Sequence, residues 1–571
     1  MFIKRFFIGL ITLLLATGDA WANVRLPAIF GTNMVLQQDR KIPVWGWADP
    51  GEDVTVTFGT ASAKATADAK GNWRVDLEPV PTASAPMTLT VKGKNTITCD
   101  NVLVGDVWVC SGQSNMEFDL AGNTNGQHGF GGDTTAQTAV PAANDPQLRL
   151  FLVAKKVAFF PETDVKGEWK VCAPEPAGRF SAVGYFFGKE LRQAMNRPIG
   201  LIGTYWGGMP AQAFTSISGL QKAPPFTGYL VGREKAEADY PAAVAKYATD
   251  LADYQAKKTD WDKNDAAAFN AAAVQWKKDA AAAAAAHQPR PPLPTGVVPP
   301  PVPPVNPDGM PSNPAALFNG MIAPLIPYGI KGAIWYQGES NASRAAEYKT
   351  LFPRMISDWR EKWGEGDFPF LFVQLAEFMA PQKDPSEGGW AAIRESQLQT
   401  LSLPNTGMAT AIDLGCVKDI HPKDKLDVGK RLALAARHVA YGQDIVYSGP
   451  IYDSMKVEGN TIRLTFKHTG TGLKMGTPPW TCDGQPLPAP TALQGFAIAG
   501  IDQKFVWADA KIDGNTIVVS GNGVTAPAAV RYDWANFPAG NLYNNEDLPA
   551  SPFRTDDWDL SQPPKPAPPK P

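Results

Sequence analysis

Five short apolar runs, separated by helical stretches, constrain the fold of this chain more than any other feature of its sequence. None of the runs alternates between apolar and polar residues, which is typical of strands buried on both faces of a parallel sheet. The runs are Val102–Cys110, Ile199–Thr204, Gly332–Tyr336, Phe370–Leu375 and Met408–Ile412. The helical stretches between and after them are Ala182–Met195, Glu347–Trp363, Trp390–Leu401 and Lys425–Tyr441. This order predicts a doubly wound α/β fold with its ligand site at the carboxyl ends of the strands.

Regions with regular apolar–polar alternation flank the α/β region on both sides. Val54–Phe58, Trp73–Leu77 and Met87–Val91 alternate near the N-terminus, and Thr461–Phe466 and Thr516–Val519 lie towards the other end. Such alternation indicates strands that have one buried face. We therefore expect an N-terminal and a C-terminal β unit, each resembling a sandwich or a jelly roll.

A stretch rich in Ala, Lys, Asp and Pro interrupts the α/β region. The composition from Glu234 to about Gln288 predicts helix, and the prolines of Pro289–Pro314 predict a stiff polyproline-like spacer. The insertion either forms helical arms on the surface or covers and gates the substrate site. The predicted organisation is a signal peptide (1–22), an N-terminal β domain (23–104), the α/β domain (105–233 and 312–442), the insertion (234–311), a C-terminal β domain (443–558) and a disordered Pro/Lys tail (559–571).

The first 22 residues have the pattern of a secretory signal. Lys4 and Arg5 precede the apolar run Phe6–Ala16, and the small-x-small ending at Ala20–Ala22 suits cleavage after Ala22. The alternative is an uncleaved membrane anchor. We expect an exported protein, periplasmic or extracellular, that has no contact with the membrane after cleavage.

Charge and motif content exclude several classes of function. A net charge of −3 and a pI near 6.1 supply no positive field for a polyanion, so no nucleic-acid partner is expected. The sequence has no HExxH motif, no CxxC pair and no tight cluster of His and Cys, so no metal is expected. Five cysteines leave at least one thiol unpaired. The oligomeric state has no signal in the sequence.

Ser114 is the candidate nucleophile. It lies in the segment VWVCSGQSNM, where an apolar strand runs into Gly112 and a helix is predicted to begin near Asn115. Backbone N–H groups at a helix start favour negative charge on a bound acyl oxygen. A serine between a strand and a helix is more often a simple helix cap, so this assignment depends on finding a base.

His421 is the best placed of the few histidines that could act as that base. It follows the last predicted strand and precedes a helix, so its ring can lie over the strand ends where Ser114 emerges. The others lie beside the poly-Ala run, within a predicted helix, in the C-terminal β unit or in a Gly-rich loop; they are His287, His438, His468 and His128.

Four ordered sequence blocks resemble those of SGNH hydrolases, specifically the sialate O-acetylesterase-like carbohydrate esterases. The blocks are GQSNM around Ser114, WGG at Trp206–Gly208, WYQGESN at Trp335–Asn341 and DIHP at Asp419–Pro422. The resemblance covers most of the mature chain. It implies a flavodoxin-like parallel-sheet hydrolase domain of SGNH type, flanked by the two β units.

The resemblance also implies roles for individual residues. Ser114 would be the nucleophile, and His421 the general base and then the general acid. The oxyanion hole would combine the Ser114 N–H with the N–H of Gly207 or Gly208 and a side-chain amide. The amide is left open between Gln337 and Asn341, because a simple GxN register from Gly338 lands on Ser340.

The sequence departs from the family pattern at the helper acid. Many SGNH hydrolases carry this acid three residues before the histidine, where this chain has Lys418. Asp419 and Glu339 are the two candidates, with Asp419 slightly favoured. Four further residues could bind sugar hydroxyls or could equally belong to a solvated helix face or turn; they are Gln212, Asn319, Arg394 and Gln397.

The predicted function is that of a serine carboxylic-ester hydrolase that removes acetyl groups from sugars. The acetylated saccharide is either sialic acid or a plant polysaccharide such as xylan or xyloglucan. No cofactor is expected, because nucleophile, base and oxyanion donors all come from the protein. The two rival hypotheses are a non-catalytic carbohydrate-binding protein and an esterase for longer acyl chains.

Overall fold

A computed structural model describes residues 23–122, 134–385, 388–478 and 488–559 of the chain. The predicted signal peptide lies outside the described residues, as does the predicted tail from residue 560 onward. Among the described helices, none is both long enough and apolar enough to cross a membrane.

The N-terminal region forms six short strands and then one long strand. The alternation predicted there is present, since Val54, Val56 and Phe58 are buried while their neighbours in the strand are not. The strands are β1 (Val35–Gln37), β2 (Ile42–Trp47), β3 (Asp53–Phe58), β4 (Ala61–Thr66), β5 (Asn72–Leu77), β6 (Ala83–Lys92) and β7 (Thr96–Gly112). Strand β7 pairs with β6 and β1 in its first part and then continues into the central sheet. The predicted boundary after residue 104 therefore falls inside one continuous strand.

The central sheet contains all five strands that the apolar runs predict. They are β7 and, with nearly every residue buried, β10 (Ile199–Gly203), β11 (Gly332–Tyr336), β12 (Phe370–Gln374) and β13 (Thr406–Thr410). Two strands that the sequence analysis missed complete the sheet, β8 (Asp145–Leu152) and β9 (Trp169–Cys172). The order is β13-β12-β11-β7-β10-β8-β9, and only β9 runs antiparallel to its neighbour. This mixed sheet with its helices is an α/β hydrolase-like arrangement.

Helices follow most of the central strands. Helix α4 packs against α10, and α8 packs against α9. The helices are α1 (Ser114–Glu117), α2 (Ala136–Ala139), α3 (Pro174–Gly178), α4 (Ala182–Met195), α5 (Ile217–Gln221), α6 (Arg233–Asn264), α7 (Ala266–Ala285), α8 (Ala345–Trp363), α9 (Gly389–Gln399) and α10 (Lys425–Val439). Short 3₁₀ or π turns lie at Ala211–Phe214, Pro224–Leu230, Phe318–Ile322, Ala323–Leu325, Glu339–Arg344 and Thr400–Ser402.

The insertion consists of α6 and α7 followed by the Pro-rich segment. Trp261 of α6 donates a hydrogen bond to the carbonyl of Val298, and Trp276 of α7 donates to that of Pro291. The Pro-rich segment therefore runs back along the two helices. Most of the side chains of this insertion are exposed.

The C-terminal region builds a core of its own from antiparallel sheets. Two four-stranded sheets, β14-β15-β20-β19 and β18-β17-β21-β23, and the pair β16-β22 surround buried residues such as Ile462, Phe496 and Ile517. The strands are β14 (Ile451–Glu458), β15 (Thr461–Lys467), β16 (Leu473–Met475), β17 (Phe496–Gly500), β18 (Val506–Trp507), β19 (Asp509–Asp513), β20 (Thr516–Ser520), β21 (Pro527–Tyr532), β22 (Leu542–Asn544) and β23 (Phe553–Arg554).

Candidate active site

Ser114 stands at the carboxyl end of β7, where the chain turns sharply into α1. Gly112 makes the turn with a φ of +136°, and a Cβ there would lie 2.2 Å from the carbonyl oxygen of Tyr336. The N–H of Gln113 donates to that carbonyl, and the N–H of Trp206 donates to the carbonyl of Gly112. The end of β7 is thus held between β11 and the loop after β10, and Ser114 sits there 7% exposed.

The structure brings the imidazole of His421 to the hydroxyl of Ser114. His421 lies in the loop between β13 and α10, and its Nε2 is 2.9 Å from Ser114 Oγ. Burial lowers the pKa of His421, the charge of Lys425 lowers it further, and Asp419 raises it. A lowered pKa keeps the imidazole neutral near pH 7, which is the form that can accept a proton.

Asp419 lies on the far side of the imidazole from Ser114. Its Oδ1 is 3.4 Å from His421 Nδ1 and also accepts a hydrogen bond of 2.9 Å from the backbone N–H of His421. The Asp419 side chain is 43% exposed, so water screens its charge. This carboxylate is placed to orient the ring and to interact with the imidazolium once that forms.

Glu339, the other candidate for the helper acid, contacts Asn115. Its Oε1 accepts a hydrogen bond from Asn115 Nδ2, and its Oε2 is buried with no hydrogen-bond partner in the described chain. Burial raises the pKa of Glu339, and Lys425 opposes that rise. Of the two acids, Asp419 is therefore the one that the structure brings to His421 Nδ1.

Asn115 connects Glu339 to the histidine loop. Its Nδ2 also donates to the carbonyl of Ile420 at 3.0 Å, and its Oδ1 accepts from Lys425 Nζ at 2.6 Å. Asn115 and Lys425 are both buried, and the Lys425 ammonium also lies over the rings of Phe118 and Tyr336. This network fixes the position of Ile420, directly before His421, relative to Asn115, directly after Ser114. Sequence reasoning gave no role to Asn115, which stands in the GQSNM block, or to Lys425, which carried no signal.

Gln337 and Asn341, the predicted amide donors, are fully buried and bonded to one another. Gln337 Nε2 donates to Asn341 Oδ1 at 2.7 Å, and Asn341 Nδ2 donates to Gln212 Oε1 at 3.2 Å. Asn341 Oδ1 also accepts a hydrogen bond from the N–H of Ala211. Gln337 Nε2 also donates to the carbonyl of Met209 at 3.4 Å. With no exposed surface, these amides support the loop after β10 instead of presenting an N–H to a substrate carbonyl. The side chain of Gln212, which is 4% exposed, belongs to the same hydrogen-bond network.

The two glycines of the WGG block differ in their surroundings. A Cβ on Gly207 would lie 3.3 Å from Ser114 Cβ, so the loop passes close to Ser114. The Gly207 N–H donates to the carboxylate of Glu117, which also pairs with Lys155. Gly208, at a φ of +75°, is exposed, with open space at its Cα. Sequence reasoning did not single out Glu117, although it follows the GQSNM block directly.

Like Gln212, the other three residues predicted to bind sugar lie in the interior. The Arg394 guanidinium donates to the carbonyls of Leu375, Ala376, Ala535 and Asn536, and the residue is fully buried. Gln397, also fully buried, bonds to backbone groups of Leu375, Val373 and Gln337. Asn319 donates to the carbonyls of Ala158 and Phe159. The polar atoms of these side chains are hydrogen-bonded to backbone groups. They therefore stabilise the fold around the site and are not placed for the predicted contact with sugar.

A metal centre has no counterpart in the part of the chain that the structure describes. No group of three or more His, Cys, Asp or Glu side chains there could hold a metal ion. Cys99, Cys110 and Cys172 are buried free thiols, and burial raises the pKa of Cys99 and of Cys172 to about 11. Cys416 is disulfide-bonded.

Comparisons with known proteins agree on one family. Residues 317–438 match the family described as carbohydrate esterase, sialic acid-specific acetylesterase. The chain is 30% identical to the sialate O-acetylesterase of Mus musculus over 482 residues, which cover 78% of this chain and 79% of that protein. It is 28% identical to the human sialate O-acetylesterase over 492 residues, or 79% and 78% of the two chains. The crystal structure of a carbohydrate acetylesterase from Xanthomonas citri matches with 37% identity and a TM-score of 0.71, covering 94% of this chain and 100% of that one.

Proposed function

The chain belongs to the sialate O-acetylesterase family of carboxylic-ester hydrolases, and we propose that it hydrolyses acetyl esters of sugars with Ser114 as nucleophile and His421 as general base. The observation that carries this proposal is the 2.9 Å distance between Ser114 Oγ and His421 Nε2. In the sequence, Ser114 follows β7, the first strand of the central sheet, and His421 follows β13, the last. They meet at the carboxyl edge of that sheet.

The reaction we propose has two steps. Neutral His421 takes the hydroxyl proton of Ser114 as Oγ attacks the acetyl carbon, and the resulting imidazolium then protonates the departing sugar oxygen. Water attacks the acetyl-enzyme with the same histidine as base, which releases acetate. Asp419 stabilises the imidazolium from the Nδ1 side in both steps.

The tetrahedral oxyanion needs N–H donors that are not already bonded. The Ser114 N–H is in the first turn of α1 and so has no acceptor within the helix. We assign the second donor to Gly208, because Gly207 donates to Glu117 and the Gln337 and Asn341 amides are buried. One such donor contributes roughly 2.7–4 kcal/mol to transition-state stabilisation.

For the fold we infer the flavodoxin-like SGNH type with a β-sandwich-like unit on each side. Taken in chain order, β7, β10, β11, β12 and β13 are arranged as 2-1-3-4-5, which is the flavodoxin-like strand order. The separate C-terminal core supports a distinct unit there. We also infer export through the segment 1–22, with an acetylated saccharide as the only partner that the site requires.

The decisive experiment compares wild type with Ser114→Ala on acetate release from three kinds of acetylated sugar. Wild type should release acetate from at least one of acetylated sialic acid, xylan and xyloglucan, and Ser114→Ala should lose almost all of that activity. Equal, negligible rates for both would favour a non-catalytic carbohydrate-binding protein. Comparable rates on butyrate, octanoate and acetate esters would favour an esterase for longer acyl chains.

A further inference from the structure

A cavity of about 540 Å³ lies where the ends of β12 and β13 meet the C-terminal β unit. Glu377 and Asp413, from the loops after these two strands, line the cavity together with Asp533 and Phe537 of the C-terminal unit. An adjoining cavity of about 330 Å³ shares Asp533 and Phe537 as a wall and continues past Trp534. Volumes in this range are typical of small-molecule sites.

Two of the lining carboxyl groups keep an oxygen without a hydrogen-bond partner in the described chain. They are Glu377 Oε2 and Asp533 Oδ1, on residues that are 9% and 2% exposed. Asp413, by contrast, is bonded to both Arg431 and the hydroxyl of Tyr543. A buried polar atom without a partner costs about 1–3 kcal/mol, so a ligand that supplies the missing partners is stabilised here.

The chemistry of these groups favours a neutral, hydroxylated ligand. Burial raises the pKa of Glu377 and that of Asp533 to about 8 against the lowering effect of Arg394, which favours the protonated form of each carboxyl near pH 7. A protonated carboxyl can both donate and accept hydrogen bonds. Phe537 adds an apolar surface to the lining of the cavity. Sugars present hydroxyls at their edges and C–H groups on their faces, which matches such a combination.

The cavity lies on the same edge of the sheet as Ser114. Strands β11 and β12 follow β7 in the sheet, and at a spacing of about 4.8 Å the end of β12 is about 10 Å and that of β13 about 15 Å from the end of β7. Val417, which lines the cavity, precedes His421 by only a few residues. A glycan whose acetyl group reaches Ser114 can therefore extend along this edge.

We propose that this cavity, defined by Glu377, Asp533 and Phe537, binds a neutral, unacetylated sugar unit of the same glycan whose acetyl ester lies at Ser114. The proposal rests on the proposed function and extends it to the substrate class, since a neutral plant polysaccharide fits these walls better than an anionic sialoglycan. The described residues that line the cavity include no lysine or arginine that could pair with a sialic acid carboxylate.

The test measures binding and catalysis separately. Calorimetry on the Ser114→Ala protein uses unacetylated xylan and xyloglucan oligosaccharides and sialyllactose as probes. We expect a neutral oligosaccharide to bind and Glu377→Leu or Phe537→Ala, added to Ser114→Ala, to weaken its binding about tenfold, as truncation of an energetically important contact does. In the active protein, the same changes should lower the ratio of kcat/KM on the acetylated oligosaccharide to kcat/KM on 4-nitrophenyl acetate by a similar factor. Ile501→Ala, an exposed change in the same β unit, is the matched control and should leave both readouts as in wild type.

Several outcomes would overturn the proposal. The proposal is contradicted if neutral oligosaccharides do not bind Ser114→Ala, if they bind all variants equally well, or if sialyllactose binds more tightly than they do. Calcium chloride raising the Tm of wild type but not of Glu377→Leu would identify a cation site instead. If Glu377→Leu does not fold, Phe537→Ala, at a partly exposed position, decides alone. Failure of wild type to release acetate from any sugar would contradict the proposed function itself, whereas normal release with unchanged ratios contradicts only this subsite.

Discussion

Replacing Asp419 by Asn removes the charge beside His421 while keeping an oxygen that can accept the backbone N–H of His421. A hydrogen bond to a charged group contributes about 1.5–3 kcal/mol. The Asp419 side chain is 43% exposed and its Oδ1 is 3.4 Å from Nδ1, so solvent screening reduces this to about 1–2 kcal/mol. We therefore expect kcat/KM on 4-nitrophenyl acetate to fall by about 5- to 30-fold, far less than for a fully buried helper acid.

The same substitution should move the pH profile. The proposed mechanism needs neutral His421, so kcat/KM should rise with pH through the pKa of this group. Asp419 raises that pKa against the lowering effects of burial and Lys425, so its removal should shift the acid limb of the profile to lower pH. The assay is kcat/KM from pH 4 to 9 for wild type, Asp419→Asn, Glu339→Gln and, as an exposed control, Asp444→Asn.

A specific result would refute the assignment of Asp419. If Asp419→Asn retained wild-type kcat/KM and an unshifted acid limb while Glu339→Gln showed both effects, Glu339 would be the helper acid. A shift of the limb to higher pH in Asp419→Asn would contradict the sign of the electrostatic argument.

Three further substitutions test the network around the site. Asn115→Ala removes the hydrogen-bond partner that buried Lys425 and Glu339 share. We expect kcat to fall by about 100-fold and the free energy of unfolding, measured by urea denaturation, to fall by roughly 2–4 kcal/mol. An unchanged kcat would contradict the positioning role of Asn115. Gly112→Ala places a methyl group 2.2 Å from the Tyr336 carbonyl at a φ of +136°, and we expect an inactive or unfolded protein by activity assay and circular dichroism; wild-type activity would show that the turn tolerates a side chain. Arg431→Met breaks a buried bidentate pair with Asp413 and should cost about 3–5 kcal/mol of stability, read as a lower urea midpoint, and an unchanged midpoint would show that the pair contributes little.

The parallel strands could be predicted from the sequence because burial on both faces leaves an uninterrupted apolar run. Gly332–Tyr336 is a strand with the predicted bounds, and α4 spans Ala182–Met195 as predicted. Strand β8 escaped prediction because it contains polar Arg149, whose guanidinium is buried against the carbonyls of Asn33 and Asn101 in the N-terminal region. That contact is tertiary, and no local pattern reports it.

The pair Ser114 and His421 could be proposed from the sequence because both follow predicted parallel strands, whose ends meet at one edge. The surrounding residues could not be sorted in the same way. An arginine on a helix, such as Arg394, looks the same in sequence whether its guanidinium faces solvent or is satisfied by four backbone carbonyls. Likewise, only coordinates show that Gln337 and Asn341 bond to each other and that Lys425 is buried beside Asn115.

The position of His421 depends on the C-terminal β unit as well as on the central sheet. The loop that leads from β13 to His421 contains, near its start, Asp413, whose Oδ2 accepts hydrogen bonds from Arg431 of α10 and from Tyr543 of β22. Asn115 then holds the loop again at Ile420, directly before the histidine. Because the loop is fixed at both ends by buried polar contacts, the base is placed by three parts of the chain at once. The C-terminal unit thus supports the geometry of the loop that carries the proposed base, independently of the proposed sugar site.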